Sequence, residues 1–321
     1  MEKILDFLRT IKATYVINNL FNRKKLVHNV DLYEKYKLRK SIFTPISSQH
    51  FKDKPPLFPW LDQPEAKELL NLNEDYQQLS PEMQQKVIQW IEEGYMILEG
   101  FFNEAQVEEI NQEVDQLLAR KAVGFHPSGR IMFAYRQSQL MQEVVNNKEI
   151  IQLLSFLLGK RVHPFQSINF IKGSEQKPHS DSIHMTTYPL GYLAAIWIAL
   201  ESISEENGGL IYYPGSHKLP YILNDDFDHG GNSWRLGNNA NQRYEEKIQE
   251  VIDQNGLQPE VFRAKPGDLL IWHANLIHGG LPIQKEGSTR KSMVVHYFTE
   301  DVICYHELTQ RPALLPLEEV V

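Results

Sequence analysis

The second half of the chain, from Val162 onward, consists of short β-branched and aromatic runs separated by turn signals, and this pattern restricts the possible folds most. Glycine- and proline-containing turns such as Asn207-Gly208-Gly209 and Pro266-Gly267 lie between the runs. Many short strands at this spacing are typical of β-sandwiches and jelly rolls. We therefore expect a mainly β fold with flanking helices (α+β), either a sandwich or a jelly roll. The predicted strands are Ser167–Ile171, Tyr192–Leu200, Leu210–Tyr213, Asp268–Trp272 and Ser292–Phe298.

Helical patterns precede the β-rich half. Glu82–Glu93 has apolar residues at helical spacing, and Asn103 is placed to cap a second helix that runs to about Arg120. Gln106 follows three residues after Asn103, which is the spacing of a capping box. A third helical pattern covers about Val144–Leu158. We expect these helices to flank the β core.

Residues 1–80 are predicted to be a helical, basic N-terminal extension, and residues 81–321 the jelly-roll domain. Apolar residues recur at three- and four-residue steps from Ile4 to Val16, which predicts an amphipathic helix. Within residues 1–40, ten lysines and arginines stand against four acidic residues. Such a basic segment can dock on the acidic body of its own chain, or it can meet a membrane surface or a phosphorylated substrate carrier.

Residues 224–255 interrupt the β domain with a long polar insertion that is rich in asparagine, aspartate and glycine and contains Trp234. A segment of this kind inside a β domain is either a lid over a site or plain surface. Both interpretations stay open at this point.

Composition and charge exclude several classes of protein. The single cysteine, Cys304, permits neither an intramolecular disulfide nor a thiolate metal cluster. A net charge of −8 argues against nucleic acid as the main partner. No apolar run approaches the roughly 18 residues of a membrane span, and charges interrupt the first residues too often for a secretory signal. We expect a cytoplasmic protein, and no feature of the sequence predicts an oligomeric state.

A His-x-Asp pair opens the candidate site. In a strand, residues i and i+2 face the same side, so His179 and Asp181 could bind one metal ion. The best third ligand is His278, because two glycines follow it and allow the backbone to turn tightly beside a metal. His273, five residues earlier, is the competing histidine.

An arginine downstream suggests what else the site holds. Arg290 begins a predicted strand in which Arg290 and Ser292 share one face. If that face is inward, the guanidinium needs an anion, because an unpaired buried charge is costly. A planar fork suits the distal carboxylate of a dicarboxylic acid, to which the Ser292 hydroxyl could also donate.

Two histidines and one carboxylate on one face of iron leave three coordination positions open. A 2-oxo acid can fill two of them, and dioxygen can take the third. The residues therefore describe a mononuclear Fe(II) oxygenase that uses 2-oxoglutarate, with Arg290 as the anchor of this co-substrate. Structural zinc, or a non-catalytic metal-binding protein of the same fold, is the alternative, since the same ligand set also suits zinc.

From about Glu82 to Phe298 the chain resembles the phytanoyl-CoA dioxygenase (PhyH) family of Fe(II)/2-oxoglutarate-dependent oxygenases, which includes ectoine hydroxylase. Asp268 lies ten residues before His278, as it does in that family. The segments that carry the resemblance follow in family order: Gly94–Phe102, Gln166–Phe170, His179-x-Asp181, Asn207–Leu210, Pro214–His217, Pro266–Leu269 and Leu276–Gly279.

The resemblance implies that the core of the fold is a double-stranded β-helix, a jelly roll of the cupin type. It also implies roles for individual residues. It implies that the iron ligands are His179, Asp181 and His278. It implies that Arg290 binds the C5 carboxylate of 2-oxoglutarate. The further co-substrate contacts that it implies are Gln166 and Trp197.

The chain departs from the family pattern in two places. Gly280 stands where members often have a serine that contacts 2-oxoglutarate, and we expect Ser292 to supply that hydroxyl instead. The family's basic residue before the core strands has no clean match, and Arg136 is the nearest candidate.

The functional expectation is a dioxygenase that uses Fe(II), 2-oxoglutarate and O2 to hydroxylate an unactivated C–H bond. Its substrate would be a small molecule, either free or linked to CoA or another carrier. Desaturation or epimerisation by the same chemistry is an alternative. Asp181 favours these outcomes over halogenation, because related halogenases replace this carboxylate with a small residue.

Overall fold

The strands of the computed structural model, which describes residues 11–126, 129–232, 235–237 and 239–315, lie in three antiparallel sheets. In chain order the described strands are β1 (Tyr95–Leu98), β2 (Arg130–Met132), β3 (Val162–Phe170), β4 (Thr186–Tyr188), β5 (Leu193–Ala199), β6 (Leu210–Tyr212), β7 (Glu260–Phe262), β8 (Leu269–His273), β9 (His278–Gly280), β10 (Ser292–Thr299), β11 (Ile303–His306) and β12 (Arg311–Pro312). The main sheet has the order β1-β8-β5-β10-β3-β2, and the smaller sheets are β12-β11-β4 and β7-β6-β9. The predicted jelly-roll core is confirmed.

Helices flank this core, as predicted. The described α-helices are α1 (Lys12–Phe21), α2 (Asn29–Lys35), α3 (Ala66–Asn71), α4 (Glu74–Gln78), α5 (Pro81–Glu93), α6 (Glu104–Ala119), α7 (Gln139–Val145), α8 (Lys148–Leu158) and α9 (Ala240–Gln254). None of them is both long and apolar enough to span a lipid bilayer. The first residues of the predicted N-terminal helix (Ile4, Leu5, Phe7 and Leu8) and Trp234 of the polar insertion lie outside the described residues.

Strand β5 shows why the main sheet is covered on both faces, since all 7 of its residues are buried. Ile196 and Ile198 pack in the core cluster that helices α5, α6 and α8 cover. Trp197 belongs to the second cluster, inside the jelly roll. A strand buried on both faces needs an unbroken apolar run, which Leu193–Ala199 provides.

Local sequence signals explain where most helices begin. The predicted capping box is present, with Asn103 accepting from the backbone of Gln106 and the Gln106 side chain accepting from the backbone of Asn103. The prediction of one helix over Val144–Leu158 is wrong. The chain breaks there because Asn147 caps a new helix, its side chain accepting from the N–H groups of Glu149 and Ile150.

The described part of the extension packs against the body of the protein. Tyr33, Ile46 and Phe51 form an apolar cluster with Tyr188 of β4 and Tyr305 of β11. This packing places the extension along the small sheet that also holds the C-terminal strand.

A buried carboxylate ties three distant segments together. Glu307 accepts hydrogen bonds from the N–H and hydroxyl of Ser48 in the extension, and from the N–H of Asn224 at the start of the insertion. The insertion then continues into α9, which packs its buried residue Ile248 in one cluster with Ile277. Part of the insertion is therefore built into the core.

Candidate metal centre

Backbone hydrogen bonds join the two chain segments that carry the predicted metal ligands. His179 and His278 exchange N–H···O hydrogen bonds of 2.9 Å in each direction, so the strand end at His278 is paired with the segment that carries His179. Asp181 begins a short 3-10 helix that ends at Ile183. The prediction that His179 and Asp181 share a strand is therefore wrong, although the tight turn still directs both side chains to His278.

These three side chains form a cluster suited to a metal. One ligand atom from each of His179, Asp181 and His278 lies within 4.8 Å of the others. All three residues are buried, with at most 9% of their surface exposed. Such a cluster of two imidazoles and one carboxylate fits a divalent first-row metal.

Hydrogen bonds select the tautomer of each histidine. His179 donates from Nδ1 to the carbonyl of Lys177 at 2.9 Å, and His278 donates from Nδ1 to the carbonyl of Leu276 at 3.0 Å. Both Nε2 atoms therefore keep a lone pair, as metal binding requires. The Nε2 of His278 lies 3.7 Å from Asp181 Oδ1, and the Gln176 amide donates to the Nε2 of His179 at 3.0 Å.

The carboxylate is oriented and kept ionised by its neighbours. The indole N–H of Trp272 donates to Asp181 Oδ2 at 2.7 Å, and the Nε2 of His296 lies 3.4 Å from the same oxygen. Burial alone would raise the pKa of Asp181, but His278, His296 and His179 hold this pKa well below its ordinary value. Burial, followed by the charge of His278, lowers the pKa of His179 well below its ordinary value. A neutral imidazole and an ionised carboxylate are the forms that bind metal.

The competing histidine faces the other way. His273 lies on the opposite face of β8 from Trp272, with its Nε2 3.0 Å from Asp62 Oδ2. Its Nδ1 accepts from the N–H of Asn275 at 3.1 Å. These contacts take His273 out of the cluster.

Arg290 is a buried cation that forms no ion pair with any carboxylate in the described part of the chain. Only 1% of it is exposed, its Nη1 donates to the carbonyl of Gly208 at 3.2 Å, and its Nε has no partner. The negative charge of Glu201 acts to raise the pKa of Arg290, but Glu201 does not bind the guanidinium. Its carboxylate accepts hydrogen bonds from Thr289 Oγ1 and from the N–H of Lys291. An unpaired guanidinium this deep is costly unless a ligand completes it, so the residue fits a carboxylate co-substrate.

A second arginine, which the sequence did not single out, reaches the same place. The guanidinium carbons of Arg130 and Arg290 lie 5.6 Å and 5.2 Å from the ring centre of Phe170. Arg130 donates to the Gln176 side chain at 2.9 Å. Burial first, and then the charge of Arg130, lower the pKa of Arg290 to about 10, so both cations remain charged at neutral pH.

Arg136, the candidate from the sequence, lies elsewhere. Its guanidinium carbon is 4.2 Å from the ring centre of Phe133. Arg130 reaches the site because β2 pairs with β3, with Arg130 opposite Phe170. The only sequence signal for this was a three-residue strand, which is too short to be recognised.

Of the remaining predicted residues, Trp197 and Gln166 line two different cavities, and Ser292 lines neither of them. Trp197 lines a cavity of about 70 Å³ around the cluster, with its ring centre 5.7 Å from the guanidinium carbon of Arg290. Ser292 is buried beside Arg290, and its hydroxyl lies 3.5 Å from that residue's carbonyl. Gln166 instead lines a larger cavity of about 550 Å³, next to His184.

The profile of the phytanoyl-CoA dioxygenase (PhyH) family matches residues 90–292, which is more than half of the chain. The chain belongs to the phytanoyl-CoA dioxygenase family. Its members among curated proteins include the peroxisomal phytanoyl-CoA dioxygenase of Rattus norvegicus, which is 22% identical over 237 residues covering 65% of this chain and 66% of that protein. The match spans slightly less than two thirds of that relative and 39% of a Caenorhabditis elegans relative.

Solved structures show that this phytanoyl-CoA dioxygenase family member shares its fold with known proteins. The carbocyclase SnoK from nogalamycin biosynthesis, described as non-heme and alpha ketoglutarate dependent, is 18% identical with a TM-score of 0.57. That match covers 71% of this chain and 87% of SnoK. EctD from S. alaskensis, solved with 2-oxoglutarate and 5-hydroxyectoine, is 18% identical with a TM-score of 0.54, covering 76% of this chain and 87% of EctD.

Proposed function

We propose that the protein is an Fe(II)/2-oxoglutarate-dependent dioxygenase that hydroxylates an unactivated C–H bond of a small molecule. The observation that carries this proposal is the buried, anion-free guanidinium of Arg290 beside the cluster of His179, Asp181 and His278. A zinc site with a purely structural role would not require a buried cation of this kind. Membership of the phytanoyl-CoA dioxygenase family supports the same activity.

Three side chains would hold the iron. His179 and His278 present their Nε2 lone pairs because backbone carbonyls accept from their Nδ1–H groups. Asp181 contributes a carboxylate that Trp272 orients through its indole N–H. A divalent metal bound by these two imidazoles and one carboxylate would keep coordination positions for other ligands.

Other residues would hold the co-substrate. Arg290 would bind the distal carboxylate of 2-oxoglutarate through its forked N–H groups, with Trp197 and Phe170 against its planar face. Arg130 adds a second positive charge on the same side. We assign the hydroxyl of Ser292 to the same carboxylate, because Ser292 shares its face of β10 with Val294 and His296, which line the metal-side cavity.

When bound, Fe(II) and 2-oxoglutarate supply the oxidation of a C–H bond by O2, coupled to conversion of 2-oxoglutarate to succinate and CO2. The chain contributes positioning and exclusion of water. The metal-side cavity of about 70 Å³ is enclosed by buried side chains, among them Trp272, Val294 and His296. Gln166 would contact the reacting molecules from the larger cavity, on the side of His184.

The proposal is tested by O2-dependent turnover of 2-oxoglutarate. Protein reconstituted with Fe(II) should release succinate slowly even without substrate, and Asp181→Ala should abolish this release. The matched control is Asp62→Ala, which removes the other carboxylate that is paired with a histidine but lies away from the cluster. No succinate from wild type, together with tightly retained zinc, would instead indicate the non-catalytic metal-binding protein.

The product of the reaction distinguishes hydroxylation from other outcomes. The name of SnoK records ring closure, whereas the EctD structure contains a hydroxylated ligand, so relatives of this fold differ in outcome. Mass spectrometry separates these possibilities once a substrate is found. A gain of one oxygen atom indicates hydroxylation, loss of two hydrogen atoms indicates desaturation or ring closure, and an unchanged mass indicates epimerisation.

A further inference from the structure

The larger cavity, of about 550 Å³, adjoins the metal cluster and is closed by parts of the chain outside the family match. The ring centre of His184, in its wall, lies 5.8 Å from that of the ligand His179 and 5.5 Å from that of His306. Helix α1 also lines this cavity through Asn18 and Asn19, and so does the C-terminal segment Arg311–Leu314. Neither segment belongs to the matched residues 90–292.

The rest of the cavity lining is largely apolar. Phe133, Phe165, Met185 and Leu193 line it, together with the C-terminal residues Ala313 and Leu314. A volume of this size accommodates a small organic molecule rather than a single ion. The occupant therefore needs an apolar body.

The charge of the cavity is one-sided. No aspartate or glutamate is among its described lining residues, and Arg311 is its one permanently charged side chain. A cationic amine would therefore enter the cavity without a counter-charge, whereas an anion would find one.

The side chain of Arg311 lies at the mouth of the cavity, where it is exposed to solvent. Its Nε donates to Thr309 Oγ1 at 3.0 Å, and its guanidinium carbon lies 5.4 Å from the ring centre of Tyr15. These two contacts orient the exposed guanidinium group. No carboxylate of the described residues forms an ion pair with this group. Asn18, on helix α1, is also exposed, and the side-chain contact of Asn18 among the described residues is made by its Oδ1, which accepts from Asn22 at 3.4 Å.

We propose that this cavity binds the substrate as a carboxylic acid with an apolar chain. Arg311 and the Asn18 amide hold the carboxylate at the mouth, and the chain points toward His184 and the metal cluster. The inference rests on the proposed function in treating the occupant as the substrate. It makes the extension and the C-terminal segment, which are not part of the family match, the determinants of specificity, and it excludes a CoA thioester, which has no carboxylate for Arg311.

The test is direct binding of probes to the full-length, metal-free chain by isothermal titration calorimetry. The probes are hexanoate, octanoate and decanoate, with the amide and the amine of each chain length and octanoyl-CoA for comparison. At least one carboxylate should bind about tenfold more tightly than its amide, and the amines should not bind. Arg311→Gln should weaken the carboxylate about tenfold and leave the amide unchanged, Asn18→Ala should weaken it by less, and Arg161→Gln, at an exposed arginine away from the cavity, should have no effect.

Four results would overturn the proposal: equal affinity for acid and amide, unchanged carboxylate binding by Arg311→Gln, tighter binding of octanoyl-CoA than of octanoate, or no binding of any probe at millimolar concentration. Because Arg311 and Asn18 are exposed, their variants are expected to fold. Binding to metal-free protein does not depend on iron chemistry. Failure here with intact succinate release would therefore refute the substrate class alone, and acid binding without succinate release would refute the proposed function.

Discussion

Replacing Arg290 by methionine should have opposite effects on stability and on co-substrate binding. The guanidinium is almost completely buried and makes one hydrogen bond to the Gly208 carbonyl, and no carboxylate within the described residues forms an ion pair with it. Methionine fills much of the same volume with a flexible apolar chain. The substitution therefore removes a desolvated charge without opening a large cavity.

The expected magnitudes follow from these contacts. A buried unpaired charge destabilises the folded state by several kcal/mol, whereas losing the hydrogen bond to the Gly208 carbonyl costs about 1 kcal/mol. We therefore expect the free energy of unfolding of the ligand-free protein to increase by about 1–3 kcal/mol. For a chain of this size, that gain corresponds to a rise in Tm of about 2–5 °C. Loss of the paired hydrogen bonds between the guanidinium and the carboxylate should weaken the binding of 2-oxoglutarate about a hundredfold or more. Iron affinity should change little, because Arg290 is not among the ligands.

Two assays check this prediction. Calorimetric unfolding of the metal-free protein gives Tm, and anaerobic titration of the Fe(II)-loaded protein gives the Kd for 2-oxoglutarate. Lys291→Met is the matched control, since Lys291 is a neighbouring, partly exposed cation, and it should leave both values nearly unchanged. A lower Tm with unchanged 2-oxoglutarate binding would mean that Arg290 is a structural residue and would refute the reasoning.

Three other substitutions test separate parts of the structure. Trp272→Phe removes the N–H donor to Asp181 and should weaken Fe(II) binding about tenfold in anaerobic calorimetry without changing the fold. Gly94→Ala should lower the free energy of unfolding by about 2–4 kcal/mol in urea titrations, because φ is +81° and a Cβ would lie 2.5 Å from the His217 ring. Burial raises the pKa of Glu307, so the folded state binds its proton more tightly than the unfolded chain and this carboxyl group's contribution to stability falls as pH rises from about 4.5. The Tm of Glu307→Gln relative to that of wild type should therefore increase as pH rises above about 4.5.

Each of these predictions has its own control or opposing result. Fe(II) affinity that survives Trp272→Phe would show that the indole does not orient the carboxylate. Gly100→Ala shares the left-handed backbone but has no atom within 4 Å of the added Cβ, so it should cost less than Gly94→Ala, and equal costs would exclude the clash with the His217 ring. A Tm difference for Glu307→Gln that is independent of pH would show that this carboxyl group has the same pKa in the folded and unfolded chains.

The parts of the fold that could be predicted are those whose signal is contiguous in sequence. β5 and β10 are recognisable because nearly every residue is apolar or β-branched, as expected for strands buried on both faces. β3 was predicted to begin at Ser167 but begins at Val162, because Pro164 and His163 interrupt the apolar run. The shorter β2, β4 and β12 depend on pairing with distant segments and carry no local pattern.

The candidate site was predictable to a similar extent. His179, Asp181, His278 and Arg290 converge as the spacing predicted, although Asp181 lies in a helical turn rather than a strand. The contribution of Arg130 could not be found in this way, because it depends on the register of two strands whose nearest paired residues, Met132 and Ile168, are 36 positions apart. A contact between segments this far apart in the chain leaves no trace in the local pattern around Arg130.

The central claim is that His179, Asp181 and His278 bind Fe(II) and that 2-oxoglutarate chelates this iron with Arg290 as its anchor. The most direct test is the visible absorption spectrum of the protein under anaerobic conditions, recorded after addition of Fe(II) and again after addition of 2-oxoglutarate. The account predicts a metal-to-ligand charge-transfer band that appears only after the second addition and is absent in Asp181→Ala. An Fe(II)-loaded protein that gives no band, or a band that persists in Asp181→Ala, would contradict it.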